Sequence, residues 1–233
     1  AHRGLHNMDE GRPENSLAAF KAAAEKGYGV ELDVQLSKDG HVMVFHDDSL
    51  SRMCGVEGNI WDFDLAELKQ MRLLGTEESI PLFTEVLEVL RSGAGPLIVE
   101  LKNGPVNAEL CQKTYEILKT YEKPYCIESF NPLIVKWFKK NAKGVFRGQL
   151  SQQKEFYPEG FGKFVVWMLS GCRLSFLNKP DFIAYKIGQR PARILRKRKK
   201  GVLLFAWTSR QEGADQAEND SVIFEGYLPP LKY

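Results

Sequence analysis

Several features that would assign a chain to a special class are absent from this sequence of 233 residues. No apolar run reaches the ~18 to 20 residues needed to span a bilayer. The longest run, Phe164 to Leu169, ends at Ser170. The four cysteines are scattered without a C-x-x-C pair, which excludes the usual zinc patterns and a small disulfide scaffold. We interpret them as reduced structural thiols, as in a cytoplasmic protein.

The sequence also lacks internal repeats, low-complexity tracts and interdomain linkers, and its formal net charge is only +2. A nearly neutral balance gives no indication of a nucleic-acid partner, and no protein partner is indicated. The length is close to the roughly 250 residues of a typical α/β barrel, and 43% hydrophobic content allows a sizeable core. We therefore expect one soluble domain over residues 1–233.

The first residues, Ala1-His2-Arg3-Gly4, lack the apolar lead-in of a central strand. We therefore expect native sequence upstream, where any signal peptide or membrane anchor would lie. A cytoplasmic and a membrane-associated location both stay open.

Short β-rich runs alternate with longer helical patterns, which is typical of parallel βα units. The expected strands are Ala1–Gly4, Gly29–Asp33, Leu97–Lys102, Tyr125–Phe130, Val145–Leu150, Asp181–Lys186, Val202–Thr208 and Val222–Gly226. The expected helices are Ser16–Lys26, Leu65–Met71, Phe83–Leu90, Val106–Tyr121, Pro132–Asn141, Gly162–Leu177, Pro191–Lys199 and Gln211–Glu218. Eight strands with interleaved helices predict a closed TIM (β/α)8 barrel.

A β-hairpin is predicted as an extension after the second strand, because Asp39-Gly40 is a two-residue turn signal between alternating runs. With that turn at the tip, Lys38 faces His41 and Asp33 faces His46. The hairpin would therefore return His46 to the C-terminal end of the second strand, where barrel enzymes place their chemistry.

Three carboxylates are expected at strand ends. Glu31 and Asp33 are two residues apart on one strand, so their side chains share a face, and Glu100 shares a face with Lys102 on the next strand. Carboxylates buried together require a neutralising cation or a proton, and oxygen ligands suit Mg²⁺ or Ca²⁺. The sequence therefore predicts a site for one divalent cation.

Two histidines, His2 and His46, are expected beside this cluster, and imidazole suits proton transfer near neutral pH. Structural roles are assigned to His6 and His41. Arg3 and Lys102 add fixed positive charge, so the site is suited to an anion. A phosphodiester meets these requirements, because cations stabilise its oxygens while the histidines serve attack and departure.

An ordered set of motifs carries a resemblance that runs almost end to end. The motifs are Ala1-His2-Arg3-Gly4, Pro13-Glu14-Asn15-Ser16, Glu31-Leu32-Asp33-Val34, Phe45-His46-Asp47, Ile80-Pro81-Leu82, Val99-Glu100-Leu101-Lys102, Ser129-Phe130 and Trp207-Thr208. The chain thus resembles the glycerophosphodiester phosphodiesterase family. The resemblance implies a TIM barrel that hydrolyses a small-molecule glycerophosphodiester to sn-glycerol 3-phosphate and an alcohol.

The resemblance also implies residue roles. The matching positions bind metal at Glu31, Asp33 and Glu100 and transfer protons at His2 and His46. Those matching Arg3 and Lys102 hold phosphate, Glu14 and Asn15 line the site, and Phe130 and Trp207 contact the organic part of the substrate or simply pack the barrel. Glu128, Ser209-Arg210 and Phe224-Glu225 depart from the family pattern, which leaves the alcohol group open.

A membrane contact is suggested by the aromatic stretch Phe161–Phe182 and the basic stretch Arg190–Lys200, although outer barrel helices are ordinarily amphipathic. Three alternatives to the leading function stay open. They are a lysophospholipase D-like activity on a lipid, a non-catalytic phosphate- or lipid-binding barrel and, more distantly, a phosphatidylinositol-specific phospholipase C.

Overall fold

The computed structural model describes residues 1–231, so the last two residues of the expected domain lie outside it. The chain divides into two compact units, Ala1–Tyr125 and Cys126–Tyr233. The expectation of a single domain over 1–233 stays a prediction. Among the described residues, no helix combines the length and the apolar character needed to cross a bilayer.

The first unit is built on a short mixed sheet. Its strands are β1 (Val30–Leu36), β2 (Val42–Val44) and β3 (Leu97–Leu101), and its helices are α1 (Leu17–Glu25), α2 (Ser51–Cys54), α3 (Leu65–Leu68), α4 (Phe83–Leu90) and α5 (Asn107–Leu118). Strand β1 lies between the other two, antiparallel to β2 and parallel to β3. Every residue of β1 is buried, as expected of a strand covered on both faces.

The second unit is a run of parallel strands, each paired with the next in sequence. Its strands are β4 (Tyr125–Ser129), β5 (Phe146–Ser151), β6 (Phe182–Lys186), β7 (Leu203–Ser209) and β8 (Ser221–Phe224). Its helices are α6 (Pro132–Asn141), α7 (Lys163–Ser170), α8 (Ser175–Asn178), α9 (Ala192–Arg198) and α10 (Ala214–Glu218). The connections between successive parallel strands β4 to β8 all contain helix, as the sequence rhythm predicts.

The expected first strand, Ala1–Gly4, is reduced to a single parallel bridge between His2 and Glu31. Arg3 and Gly4 adopt left-handed backbone conformations, with φ of 53° and 83°. These conformations cannot continue a strand, so the chain turns away immediately after His2. The predicted strand Ala1–Gly4 is therefore wrong in its length, because only His2 pairs with β1.

The antiparallel pair of β1 and β2 has a different register from the expected one. Val34 pairs with Val44 and Leu36 with Val42, which places Asp33 opposite Phe45 rather than His46. Beyond the two strands, the Ser37 N–H donates to the His41 carbonyl, so the turn itself has three residues, Lys38 to Gly40. Gly40 adopts a φ of 79°. A turn closed by a left-handed glycine shifts the pairing by one residue relative to a two-residue turn.

The expected helix Gly162–Leu177 is two helices, α7 and α8. Cys172, between them, has a φ of 45°, a conformation that a helix cannot contain. Its thiol side is buried in a small core cluster with Ile183, Tyr185, Ile194 and Leu204.

Candidate active site

The three carboxylates predicted as metal ligands lie together in the first unit. Glu31 and Asp33 are on β1, and Glu100 is on β3 directly beside Asp33 in the parallel register. All three are buried, and one oxygen from each lies within 4.8 Å of the others. The alternation of side chains on β1 and the register of β3 therefore converge on one acidic cluster.

The cluster fits a divalent cation. Burial, together with the charges of Asp33 and Glu100, raises the pKa of Glu31 well above its ordinary value. Burial works against ionisation of Asp33 as well, but Lys102, His46 and Arg3 hold its pKa far below the usual range. One buried oxygen of Asp33, Oδ1, has no hydrogen-bond donor. Oxygen ligands and excess buried negative charge are what Mg²⁺ or Ca²⁺ requires.

Two fixed cations flank the acidic cluster. Lys102 Nζ lies 3.1 Å from Glu100 Oε1 and 3.4 Å from Asp33 Oδ1. Arg3 Nη1 donates to Glu14 Oε1 at 2.7 Å, and its Nε lies 3.6 Å from Asp33 Oδ2 without a hydrogen bond. The buried Nε donor of Arg3 is thus available to an anion.

Backbone conformation fixes the residues around Arg3. Asn15, like Arg3, has a left-handed backbone, with φ of 54°, and its amide N–H donates to the carbonyl of Arg3 at 3.0 Å. Its side chain donates from Nδ2 to Asp33 Oδ2 at 2.9 Å. Left-handed residues other than glycine persist only where surrounding contacts hold them, and they cluster at functional sites. Asn15 thereby connects the loop before α1 to the acidic cluster.

The two predicted catalytic histidines both reach this region. His2 follows Ala1, whose carbonyl accepts from the Glu31 N–H at 2.9 Å, and its Nε2 lies 3.9 Å from Glu31 Oε2. His46 lies two residues after the end of β2, and its positive form is one of the charges that lower the pKa of Asp33. His41, which was assigned a structural role, lies instead 3.6 Å from Asp39 at the turn between β1 and β2.

A chain of ion pairs joins His46 to Arg3. His46 Nδ1 and Asp47 Oδ1 are 2.6 Å apart, and Asp47 Oδ2 accepts from Arg52 Nε at 2.6 Å. Arg52 then donates from Nη2 to Glu14 Oε1 at 2.7 Å, the oxygen that also accepts from Arg3. Burial would raise the pKa of Asp47, but the hydrogen bonds from His46 and Arg52 hold it well below the ordinary value. An ionised Asp47 only accepts, so Nδ1 of His46 carries a proton and Nε2 faces away from it.

Gln35 also supports the backbone around His46, and it was not among the site residues predicted from the sequence. Its buried Nε2 lies 3.0, 3.3 and 2.7 Å from the carbonyl oxygens of Phe45, His46 and Asp47, and its two N–H groups are shared among these three acceptors. Gln35 is two residues beyond Asp33 on β1 and therefore on the same face, and that spacing was the available signal. Arg52, in the short helix α2, was also missed, because a lone arginine carries no pattern.

Phe130 and Trp207 lie in the second unit, where their side chains contact each other. Their rings meet edge to face with centroids 5.6 Å apart, and Trp207 Nε1 donates to the Ala184 carbonyl at 3.2 Å. This geometry accounts for both residues as packing, and their contact with substrate stays a prediction.

Three buried carboxylates on β1 and β3, with two imidazoles and two fixed cations in the same region, are a set of groups suited to the hydrolysis of a phosphoric ester. The chain belongs to the glycerophosphoryl diester phosphodiesterase family, whose model matches residues 2–225. It is therefore an enzyme of the phosphoric diester hydrolase class.

Relatives support this assignment. The chain is 34% identical over 220 residues to a glycerophosphodiester phosphodiesterase from Caldanaerobacter subterraneus subsp. tengcongensis, covering 89% of this chain and 84% of that protein. It is 30% identical over 145 residues to a lysophospholipase D from Rattus norvegicus, covering 55% of this chain and 45% of that protein.

Solved structures support the fold. A phosphodiesterase from Oleispira antarctica, in complex with the product sn-glycerol-3-phosphate, matches with a TM-score of 0.79 at 27% identity, covering 96% of this chain and 91% of that one. A glycerophosphodiester phosphodiesterase from Thermotoga maritima matches with a TM-score of 0.68 at 28% identity, covering 96% and 92%. The predicted fold class, a TIM (β/α)8 barrel, is confirmed.

Proposed function

We propose that this enzyme hydrolyses glycerophosphodiesters to sn-glycerol 3-phosphate and an alcohol, using one divalent cation and the His2 and His46 pair. The observation that carries the proposal is the buried cluster of Glu31, Asp33 and Glu100 beside a histidine whose Nδ1 is fixed by a carboxylate. The Oleispira antarctica relative, which was solved with sn-glycerol-3-phosphate, supports the choice of product.

Glu31, Asp33 and Glu100 would hold the cation. When bound, it supplies positive charge that stabilises the non-bridging phosphate oxygens as the ester bond breaks. The donor set accepts Mg²⁺ or Ca²⁺, because both prefer oxygen ligands and geometry decides between them.

Arg3 and Lys102 contribute the rest of the positive charge. The Nε donor of Arg3 lacks a partner, and Lys102 is held at the acidic cluster by Glu100 and Asp33. Burial opposes its positive charge, but Glu100 and Asp33 raise the pKa of Lys102, so it stays charged. Both side chains are therefore ready to bind a phosphate without changing protonation state.

The histidines provide proton transfer. One imidazole takes a proton from the attacking oxygen, and the other gives a proton to the departing alcohol. Attack by the neighbouring glycerol hydroxyl and attack by water both need one base and one acid, so the pair serves either route. Nε2 of His46 is the nitrogen that exchanges the proton, because Asp47 holds Nδ1.

The test measures release of sn-glycerol 3-phosphate from glycerophosphocholine and other glycerophosphodiesters, with EDTA and with added Mg²⁺ or Ca²⁺. We expect chelation to abolish turnover and His46→Ala to lower kcat by about 10² to 10⁴. His41→Ala is the matched control, because this histidine also pairs with an aspartate but lies at the hairpin turn. A folded His46→Ala variant with normal kcat would refute the acid–base assignment.

A second candidate is a lysophospholipase D-like activity on lysolipids. The similarity to the Rattus norvegicus enzyme favours it, as does the apolar surface at helix α7, where Phe164 and Trp167 are exposed. Lysolipid and glycerophosphocholine compared at equal concentration decide between the two. A higher kcat/KM for lysolipid would establish the second candidate.

A further inference from the structure

Helix α7 is apolar, but most of its side chains are exposed or only partly buried. Of its eight residues only Ser170 is buried, although the sequence reads Lys163-Phe-Val-Val-Trp-Met-Leu-Ser170. Large aromatic side chains in and around it are exposed: Phe156, Phe161, Phe164, Trp167 and Phe176, at 50%, 46%, 71%, 40% and 68%. A helix of this composition is normally packed against a core, and a contiguous exposed apolar surface marks an interaction site.

The same segment is strongly basic. Residues 154–200 contain twelve Lys and Arg and three Asp and Glu, a net charge of +9, whereas the whole chain has +2. The rest of the chain is therefore net negative. A strongly basic segment in an otherwise acidic chain attracts anionic surfaces.

The basic helix α9 lies beside the end of α7. Cys172, two residues after α7, shares a core cluster with Ile194 of α9. Burial raises the pKa of the Cys172 thiol to about 11, and the nearby charges of Lys197 and Arg193 oppose that rise. The guanidinium of Arg173 lies 3.7 Å from the centre of the Trp167 ring. The exposed aromatic side chains of α7 and the basic side chains of α9 therefore flank the same core cluster of the second unit, and residues 154–200 are named here the aromatic–basic face.

Two grooves on this face are suited to anions. One, of about 390 Å³, is lined by five basic residues: Arg193, Arg196, Lys197, Lys199 and Lys200. The other, of about 350 Å³, runs from Ser170 to Arg190 and Pro191. The Arg190 side chain is only 9% exposed, its Nε has no hydrogen-bond partner, and the carboxylate of Glu218 is 4.0 Å away. A buried guanidinium donor without an acceptor indicates a place for an anionic group.

We propose that the aromatic–basic face docks on an anionic membrane surface, with the aromatic side chains at the level of the lipid headgroups and a lipid phosphate at Arg190. Aromatic side chains that flank Lys and Arg are the combination that interfacial helices use. A nucleic acid would not need the exposed aromatic helix. A second copy packed symmetrically on this face would bring two strongly positive segments together. The proposal concerns where the enzyme works and does not depend on the reaction proposed above.

The experiment is sedimentation of the full chain with phosphatidylcholine vesicles, with and without phosphatidylglycerol. We expect binding only to the anionic vesicles, weakened by added salt. The triple variants Phe164→Ser/Trp167→Ser/Phe176→Ser and Arg193→Gln/Arg196→Gln/Lys197→Gln should each reduce the partition coefficient by about tenfold or more. Arg190→Gln should reduce it by a smaller factor.

Matched controls come from exposed residues of the same unit. Leu133→Ser/Leu228→Ser removes exposed apolar side chains, and Lys136→Gln/Lys140→Gln/Lys143→Gln removes three positive charges in and beside α6. Both should bind as the parent does. All variants should keep their circular dichroism spectrum and their turnover of soluble glycerophosphocholine, which separates this test from that of the proposed function.

Three results would overturn the proposal. One is equal binding to neutral and anionic vesicles by the parent and by all variants. Another is a dimer in light scattering that the aromatic variant abolishes, since the face would then be a contact between two copies. The third is displacement from vesicles by an oligonucleotide that binds more tightly than the anionic lipid does.

Discussion

Gln35 places the carbonyls around His46 with a single buried amide. Replacing it by leucine removes both N–H donors of the amide and leaves buried carbonyls without donors, at a cost of about 1–3 kcal/mol in the free energy of unfolding. We expect Gln35→Leu to lower kcat with little change in KM, because the substrate contacts stay in place while the imidazole is less well oriented. Urea unfolding and steady-state kinetics measure the two effects.

Gln149 offers the matched comparison for this prediction. Its Nε2 lies 3.0, 3.1 and 3.0 Å from the carbonyl oxygens of Ser129, Phe130 and Leu150, and its Oε1 accepts from Asn178 Nδ2 at 2.6 Å. Gln149→Leu should therefore lower the unfolding free energy at least as much as Gln35→Leu does, without altering the pH dependence of kcat. If the two variants had the same kcat and the same pH profile, Gln35 would be a structural residue only.

The ion pairs of Asp47 should contribute to the stability of the folded enzyme, and this contribution should be lost at low pH. The pKa of Asp47 is lowered in the folded enzyme, so its contribution to stability is complete above the ordinary value of about 3.9 and is lost as the pH falls further. We therefore expect the unfolding free energy of Asp47→Asn to fall less steeply than that of the parent below about pH 4. Urea titrations at several pH values measure it, and parallel curves for the two proteins would contradict the prediction.

Among single residues, the sequence predicted those with a positional pattern. Glu31, Asp33 and Glu100 follow from side-chain alternation on adjacent strands, and the structure brings them together. The spacing of Gln35 from Asp33 places it on the same face of β1, but its carbonyl partners, like the Glu14 partner of Arg52, come from segments that fold against it and cannot be read from local spacing.

At the scale of elements, the turn between β1 and β2 depends on Gly40. Its φ of 79° is left-handed, and an added Cβ would clash with the Lys113 side chain, which donates to the Gly40 carbonyl. Gly40→Ala should lower the free energy of unfolding by about 1–2 kcal/mol. Gly144→Ala is the control, because a Cβ there meets nothing within 4 Å. Thermal or urea unfolding compares them, and equal losses would show that the turn tolerates a side chain.

Element boundaries were predictable where local chemistry sets them. Helices α4 and α6 have the expected bounds, and α6 begins with Asn131 as its N-cap and proline at its first position. The errors fell at the left-handed residues Arg3, Gly40 and Cys172, two of which are not glycine. Tertiary contacts impose those conformations, so composition alone did not reveal them.

At the scale of the whole molecule, the acidic cluster should couple metal binding to stability. A cation that binds only the folded chain stabilises it by mass action, by about 2.7 kcal/mol when the free cation concentration is 100 times Kd. We expect Mg²⁺ or Ca²⁺ to raise the melting temperature by several degrees and EDTA to reverse the rise. Scanning calorimetry measures it. Glu100→Gln should abolish the shift, and a shift that survives in this variant would place the ion elsewhere.

The length, composition and strand rhythm predicted the fold class of the whole chain, and related structures confirm it. The alcohol group of the substrate was not predictable, because loops without a repeating pattern form such pockets.

The ion pairs of Arg52 have one further consequence. Arg52 joins Asp47, next to His46, to Glu14, which also holds Arg3 beside His2. The segment that carries His46 and the segment that carries His2 are thus joined by side chains as well as by backbone, and the shared arginine is 48% exposed. Dissolved salt screens such exposed ion pairs. A higher ionic strength should therefore weaken the connection between the two segments and alter kcat even when substrate is saturating.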